Sequence, residues 1–284
     1  MQSIDSFICA NGQRVERTPL IDSSGVVHHW AGIPNVFEAF MEITVLPNKA
    51  QLGKKAAETG IHLMQQALAA KERIAIILAT GASQFEMLKH LVQGDIDWSR
   101  VTIFHLDEYI GLSEQHPASF RRYLRERVVN QLPNLHQFVG VNGSAEHIDR
   151  EIFRLNRLIS EQDIDVCFAG IGENGHLAFN DPPADFETTV PYLVVELDEA
   201  CRRQQLGEKW FSHLDEVPSK AISMSIQQIM RSKALIMTIP DVRKAQAVKN
   251  SLQGPVVNTI PASIIQRHSA CQVFLDNESA SLMN

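Results

Sequence analysis

The stretch Asp165-Val166-Cys167-Phe168-Ala169-Gly170-Ile171-Gly172-Glu173-Asn174-Gly175-His176-Leu177-Ala178-Phe179-Asn180-Asp181-Pro182-Pro183 decides the fold class. Val166 to Ala169 is a short apolar run of the kind that forms a buried strand, and the three glycines after it let the backbone turn and approach a ligand closely. His176 and Asp181 follow, five residues apart. A strand that ends in such a turn and then presents an imidazole and a carboxylate fits an open parallel sheet, whose ligands sit in the crevice outside the carboxyl ends of the strands. Gly170 to Gly175 also spells G-x-G-x-x-G, with Glu196 about 20 residues on, which is the outline of a dinucleotide-binding turn. That turn needs a helix opening at its third glycine to hold a pyrophosphate. Asp181-Pro182-Pro183 stops any such helix within two turns, so a cofactor site is disfavoured. A structural turn without chemistry is equally disfavoured, and a reactive site is the expectation.

Working outward, the same grammar recurs. Toward the N-terminus, Glu42 to Leu46 reads as a strand and Asn48 as the cap of a helix carrying Leu52, Ala56, Ala57, Ile61, Met64 and Leu68 at helical spacing. Ile74 to Ala79 is a β-branched run suited to burial on both faces. It ends in Thr80-Gly81-Ala82-Ser83-Gln84 before a helix through Phe85, Leu88 and Leu91. A strand, a small polar turn and a helix offer amides and hydroxyls to a phosphate, although such a turn serves as a plain helix cap about as often, and the Walker spacing is absent. Val101 to Leu106 is the next strand, with Asp107-Glu108-Tyr109 at its carboxyl end. Gly111 and Pro117 delay the following helix to about residues 117 to 131, so helix capping does not explain the two acids, and for Asp107 a solvated loop acid and a functional one are evenly balanced readings.

Phe138 to Val141 reads as a strand and Ala145 to Gln162 as an amphipathic helix. Beyond the central stretch, Tyr192 to Leu197 reads as a strand, residues 198 to 212 as a helix with Arg202, Arg203 and Lys209, and Ala221 to Ile226 and Ala234 to Ile239 as further strands. A helix after Asp241 puts Lys244 in its first turn, where a cation is disfavoured unless it meets an anion. Pro261 to Gln266 closes as a short helix and Cys271 to Leu275 as a last strand. The expectation is an α/β fold, a doubly wound, mostly parallel sheet flanked by helices, in one domain over 41–284, with residues 1–40 as an N-terminal appendage in which His28-His29 is a surface pair.

Composition excludes several classes. The 284 residues carry a net charge of -7 and 44% hydrophobic residues, which allows a large core and offers no basic stripe for a nucleic-acid partner. Cys9, Cys167, Cys201 and Cys271 are scattered without a C-x-x-C, which predicts reduced thiols in a cytoplasmic protein. No window approaches the length of a membrane span, and the N-terminus lacks a basic segment followed by an apolar one.

Several of these pieces, in this order, resemble the glucosamine-6-phosphate deaminase (isomerase) family, related to the 6-phosphogluconolactonases. The carriers are Leu78 to Ser83, Leu106-Asp107-Glu108-Tyr109-Ile110-Gly111-Leu112, His116 to Phe120, Gly170 to Pro182, and Lys244-Ala245, within roughly residues 41 to 280. The resemblance implies a small-molecule sugar-phosphate substrate, with its phosphate held by Thr80, Gly81, Ala82, Ser83 and Lys244, and with Gly172 at the site. It implies conversion of an amino-sugar 6-phosphate to fructose 6-phosphate and ammonia, with no cofactor and no required metal. By motif position His176 moves the proton that opens the sugar ring, Asp107 is the carboxylate base between the two carbons, and Asp181 orients the histidine.

Three departures from the family pattern stand out. Asp181 replaces a Glu common in the family, and Asn174 an Asp, so Asn174 cannot be an anionic partner to His176. Glu187-Thr188-Thr189-Val190-Pro191 replaces a Ser-Arg-Thr-Arg-like segment that serves an allosteric ligand in some members, so that regulation is not expected. The family's phosphate-binding arginine has no clean match, and Lys209, Arg203 and Arg202 are its candidates. A lactone hydrolase and a non-catalytic sugar-phosphate sensor are the alternatives, and the gluco or galacto epimer and a homo-oligomer are left open.

Overall fold

Strands buried on both faces need apolar residues at every position, and alternate residues then enter opposite layers. The computed structural model shows this arrangement. It describes residues 40–283 apart from residue 208, together with a short antiparallel hairpin of β1 (Asp5–Ile8) and β2 (Arg14–Arg17). The chain divides into two units, Met1–Glu38 and Ala39–Asn284. The readings of Cys9 and of His28-His29 lie outside the described residues.

The larger unit runs β3 (Phe40–Leu46), α1 (Lys49–Ala70), β4 (Ile74–Leu78), α2 (Phe85–Leu91), β5 (Val101–His105), β6 (Asp107–Tyr109), α3 (Phe120–Arg127), β7 (Gln137–Val139), α4 (Ile148–Ser160) and β8 (Ile164–Ala169). It continues with β9 (Tyr192–Glu196), α5 (Glu199–Gly207), β10 (Lys220–Met224), α6 (Ile226–Met230), β11 (Ala234–Ile239), α7 (Ala245–Gln253) and β12 (Ala270–Asp276). Seven strands form a wholly parallel sheet in the order β3-β12-β11-β8-β4-β5-β7. Ala75, Ile77, Cys167 and Ala169 face a core closed by Leu155 and Ile159 of α4 and Val248 and Leu252 of α7. Ile74, Ile76, Leu78, Val166 and Phe168 face the other, closed by Leu52, Ala56 and Met64 of α1 and Met87 and Leu91 of α2. Helices thus cover both faces. Asn48 caps α1 as expected, its side chain accepting a hydrogen bond from the Gln51 amide at 3.0 Å.

The predicted strands at Tyr192 and Ala221 exist but do not join the parallel sheet. β9 pairs antiparallel with β10, and β10 with β6, in a separate three-stranded sheet. Asp107-Glu108-Tyr109, read as a loop, is therefore a strand, and both its acids are buried. The helix expected over 117–131 is shorter, because the Ser119 hydroxyl caps it by accepting from the Arg122 amide at 3.2 Å. The helix expected over 198–212 ends at Gly207, and Lys209 takes a left-handed φ of 64° just beyond it. Pro261–Arg267 is a 3-10 segment. Among the described residues no helix is long and apolar enough to cross a membrane.

Candidate active site

From β4 the chain winds outward through β5 to β7 on one side, then returns to β8 on the other side of β4 before winding out to β12. The crevice between the carboxyl ends of β4 and β8 is thus the switch point at which ligands of such sheets bind. A cleft of ≈ 530 Å³, counted out to its mouth, opens there and is lined by Thr80, Gly81 and Ser83 after β4, Asp107 after β5, Gly170, Gly172 and His176 after β8, and Lys244 after β11. That size suits a small ligand. The sheet brings together four turns that lie far apart in sequence.

The glycine turn carries His176. Its ring lies so close over Gly172 that a Cβ there would stand 2.3–2.4 Å from three ring atoms. The Gly172 amide donates to the His176 carbonyl at 2.9 Å, and the His176 amide donates to Asn174 Oδ1 at 3.0 Å. His176 Nδ1 stands 3.2 Å from Asp181 Oδ1, close enough for charge interaction but not aligned as a hydrogen bond. The Asp198 amide donates to Asp181 Oδ2 at 3.0 Å, and Asn174 Nδ2 reaches Asp181 Oδ1 at 3.3 Å. Burial pushes the Asp181 carboxyl up, but His176, the Asp198 amide and Asn174 together outweigh it and leave it below its ordinary range. Asn174 thus holds the turn and Asp181 and makes no ring contact of its own among these bonds. No helix opens after Gly175, and Glu196 lies exposed on β9 beside Lys220, so the dinucleotide reading has no structural footing.

Asp107 is buried at the end of β5, and burial, with the Glu108 carboxylate beside it, pushes its carboxyl up to about 8. Glu108 faces away from this role. It accepts from the amides of Tyr109 (3.0 Å), Phe120 (3.2 Å) and Arg121 (2.8 Å) and from the Ser119 hydroxyl (2.7 Å). It therefore caps α3 from a distance, correcting the reading that capping could not explain these acids: the strand pairing of β6 brings the carboxylate to a helix eleven residues on. Glu108→Ala strands four donors, three of them buried, and a loss of about 3 kcal/mol in denaturant unfolding is expected.

Lys244, buried at 5% exposure, ends a 3-10 turn, Val242–Lys244, and precedes α7 at the cleft wall. Gly81, at φ 95°, turns the chain so that Thr80 and Ser83 reach the cleft, while Ala82 points outward and is exposed. The basic candidates on α5 do not reach it. Arg202 donates to the carbonyls of Leu214 and Val217, Arg203 pairs with Glu199 on the outer face, and exposed Lys209 is absent from the cleft lining. Helical spacing explains this, since α5 turns Cys201 and Gln205 inward and its arginines outward. Gln204, Gln205, Phe120 and Phe179 line the cleft and were missed by sequence reasoning. Gln204 Oε1 accepts from the Glu173 amide at 2.8 Å, a contact with no local signature.

Residues 47–274 match the model of the glucosamine-6-phosphate isomerase/6-phosphogluconolactonase family. The chain belongs to this family. It is 33% identical to a glucosamine-6-phosphate deaminase of Streptococcus pneumoniae over 243 residues, covering 86% of this chain and 100% of the relative. It is 34% identical to the deaminase of Streptococcus sanguinis, over 86% of this chain and 99% of that one. Its structure resembles a monomeric glucosamine-6-phosphate deaminase with a TM-score of 0.77 at 30% identity, covering 85% of this chain and all of the other. A 6-phosphogluconolactonase from Thermotoga maritima shares the fold at a TM-score of 0.68 and 16% identity, over 84% of this chain and all of that one.

Proposed function

We propose that this family member is a glucosamine-6-phosphate deaminase, converting an amino-sugar 6-phosphate and water to fructose 6-phosphate and ammonia. The observation that carries the reading is the convergence on one cleft of a buried carboxyl, an oriented imidazole and an anion cradle. The hydroxyls of Thr80 and Ser83 and the ammonium of Lys244 hold the phosphate, the turn amides adding donors. His176 moves a proton between the C1 hydroxyl and the ring oxygen, opening the pyranose, with Asp181 fixing its orientation. Asp107 takes the proton from C2 and returns it to C1. The resulting C2 iminium adds water, and ammonia leaves as the ketone forms. The three described cysteines are free, in keeping with a reducing, cytoplasmic setting.

The purified protein is expected to release ammonia and fructose 6-phosphate from glucosamine 6-phosphate, with galactosamine 6-phosphate run in parallel to rank the epimers. Hydrolysis of 6-phosphogluconolactone without ammonia release from either amino sugar would overturn the reading. Lys244→Met is expected to raise KM by about 30-fold with a smaller change in kcat, since a charge-assisted contact contributes roughly 1.5–3 kcal/mol. An unchanged KM would remove Lys244 from the phosphate site.

A further inference from the structure

We propose that His176, Asp181 and Cys201 form a binding site for one thiophilic divalent cation of the zinc type, which reversibly disables His176 when bound. One nitrogen, oxygen or sulfur atom from each lies within 4.8 Å of the others, and this trio is such a group among the described residues. Cys201 is held there by the start of α5. Asp198 Oδ1 accepts from the Cys201 amide at 2.6 Å, while the Asp198 amide donates to Asp181 Oδ2 at 3.0 Å. The first turn of the helix is thereby hooked onto Asp181.

His176 Nδ1 is buried and stands 3.2 Å from Asp181 Oδ1. An imidazole nitrogen, a carboxylate and a thiol gathered at one buried point form a mixed donor set that a cation can share. Tetrahedral zinc bonds of about 2.0–2.3 Å put its donors about 3.5 Å apart, so side-chain movements of roughly 1 Å close the site. The sulfur and nitrogen donors favour zinc over magnesium or calcium. Three protein ligands leave a fourth position for water. Burial is the first influence holding the Cys201 thiol in its S–H form, and the carboxylates of Asp181 and Asp198 also act on it, adding a negative field that draws a dication inward. As the sulfur–metal bond forms, the S–H bond breaks and its proton goes to solvent.

The inhibitory effect rests on the proposed deaminase reading, whereas binding itself does not. With Nδ1 on the metal, Nε2 keeps its hydrogen, and His176 can no longer accept a proton from the sugar. Asp181 is lost as its orienting partner at the same moment. The ion is thus an inhibitor rather than a cofactor.

The test is titration of the full chain with Co²⁺, used as a coloured stand-in for zinc. One equivalent is expected to give a thiolate-to-cobalt absorption band in the near ultraviolet, bleached by added Zn²⁺. Cys201→Ser is expected to lose the band and weaken Zn²⁺ binding by about 100-fold or more, whereas Cys167→Ser keeps both. Zn²⁺ is expected to inhibit ammonia release by the wild type, a chelator to restore it, and Cys201→Ser to remain active but insensitive. X-ray absorption on the zinc-loaded wild type needs no variant and is expected to show one sulfur ligand. No band at stoichiometric cobalt, a band that survives Cys201→Ser, or an all-nitrogen-and-oxygen shell would each overturn the site. A cobalt band in a protein that turns over no amino sugar would overturn the deaminase reading instead and leave the site standing.

Discussion

Asp107→Asn is expected to lower kcat for ammonia release by about 10³-fold and to raise the melting temperature at the same time. The first effect follows from removing the base that moves the proton between C2 and C1, since general-base groups contribute roughly 10²–10⁴-fold. The second follows from the carboxyl's burial, which lifts its pKa from 3.8 to about 8. Between these values the folded protein holds a proton that the unfolded chain has released. Stability therefore falls as pH rises from about 4 to about 8, fully present below the lower value and lost above the upper one. At neutral pH the cost is on the order of a few kcal/mol, which Asn avoids, and a gain of roughly 5 °C is expected. Paired thermal scans at pH 5 and pH 8 check this, with the gap between variant and wild type widening at the higher pH. For the wild type, kcat/KM is expected to climb with pH toward a plateau above about 8, as the base must be ionised in the free enzyme. A variant that is both active and no more stable would remove Asp107 from the chemistry and from its strained burial together.

Gly172→Ala is expected to reduce kcat by about 100-fold while leaving the fold intact. The new methyl would stand 2.3–2.4 Å from three atoms of the His176 ring, far inside contact distance. The backbone cannot yield easily, because the Gly172 amide is bonded to the His176 carbonyl and the two residues face each other across the same turn. The ring must move instead, by about 1 Å, and a displacement of that size at a reacting group costs roughly 10²-fold. Overpacking itself costs about 1–3 kcal/mol, which denaturant unfolding reads. Affinity for inorganic phosphate is expected to stay the same, since Thr80, Ser83 and Lys244 are on other turns. Activity within about twofold of wild type would show that the ring's position over Gly172 is not needed.

The repeating strand, polar turn and helix were legible from Ile74 to Ser83 and from Val166 to His176, because strands buried on both faces must be apolar throughout. Cleft residues His176, Thr80, Ser83 and Lys244 were legible from the turns that follow strands, where the fold places chemistry, whereas Asp107 was singled out only through the family resemblance. The α5 contribution was not legible. Its arginines and lysine drew attention by charge, yet burial selects side chains by which face of the helix they occupy, and the inward face carries Cys201 and Gln205.

The strand order of the sheet, and so the meeting of four distant turns in one cleft, also needed the tertiary structure. Local propensity is short-ranged and says that a strand exists, not which strand it pairs with. Tyr192 to Glu196 and Lys220 to Met224 read as strands like any other, and only pairing showed that they form a second, antiparallel sheet with Asp107–Tyr109. That pairing buried the two adjacent acids with opposite duties, Asp107 toward the cleft and Glu108 toward the helix α3. By itself the sequence determined the residue types and their turns; the packed structure decided their neighbours, because burial and hydrogen-bond partners are properties of contacts between segments far apart in the chain.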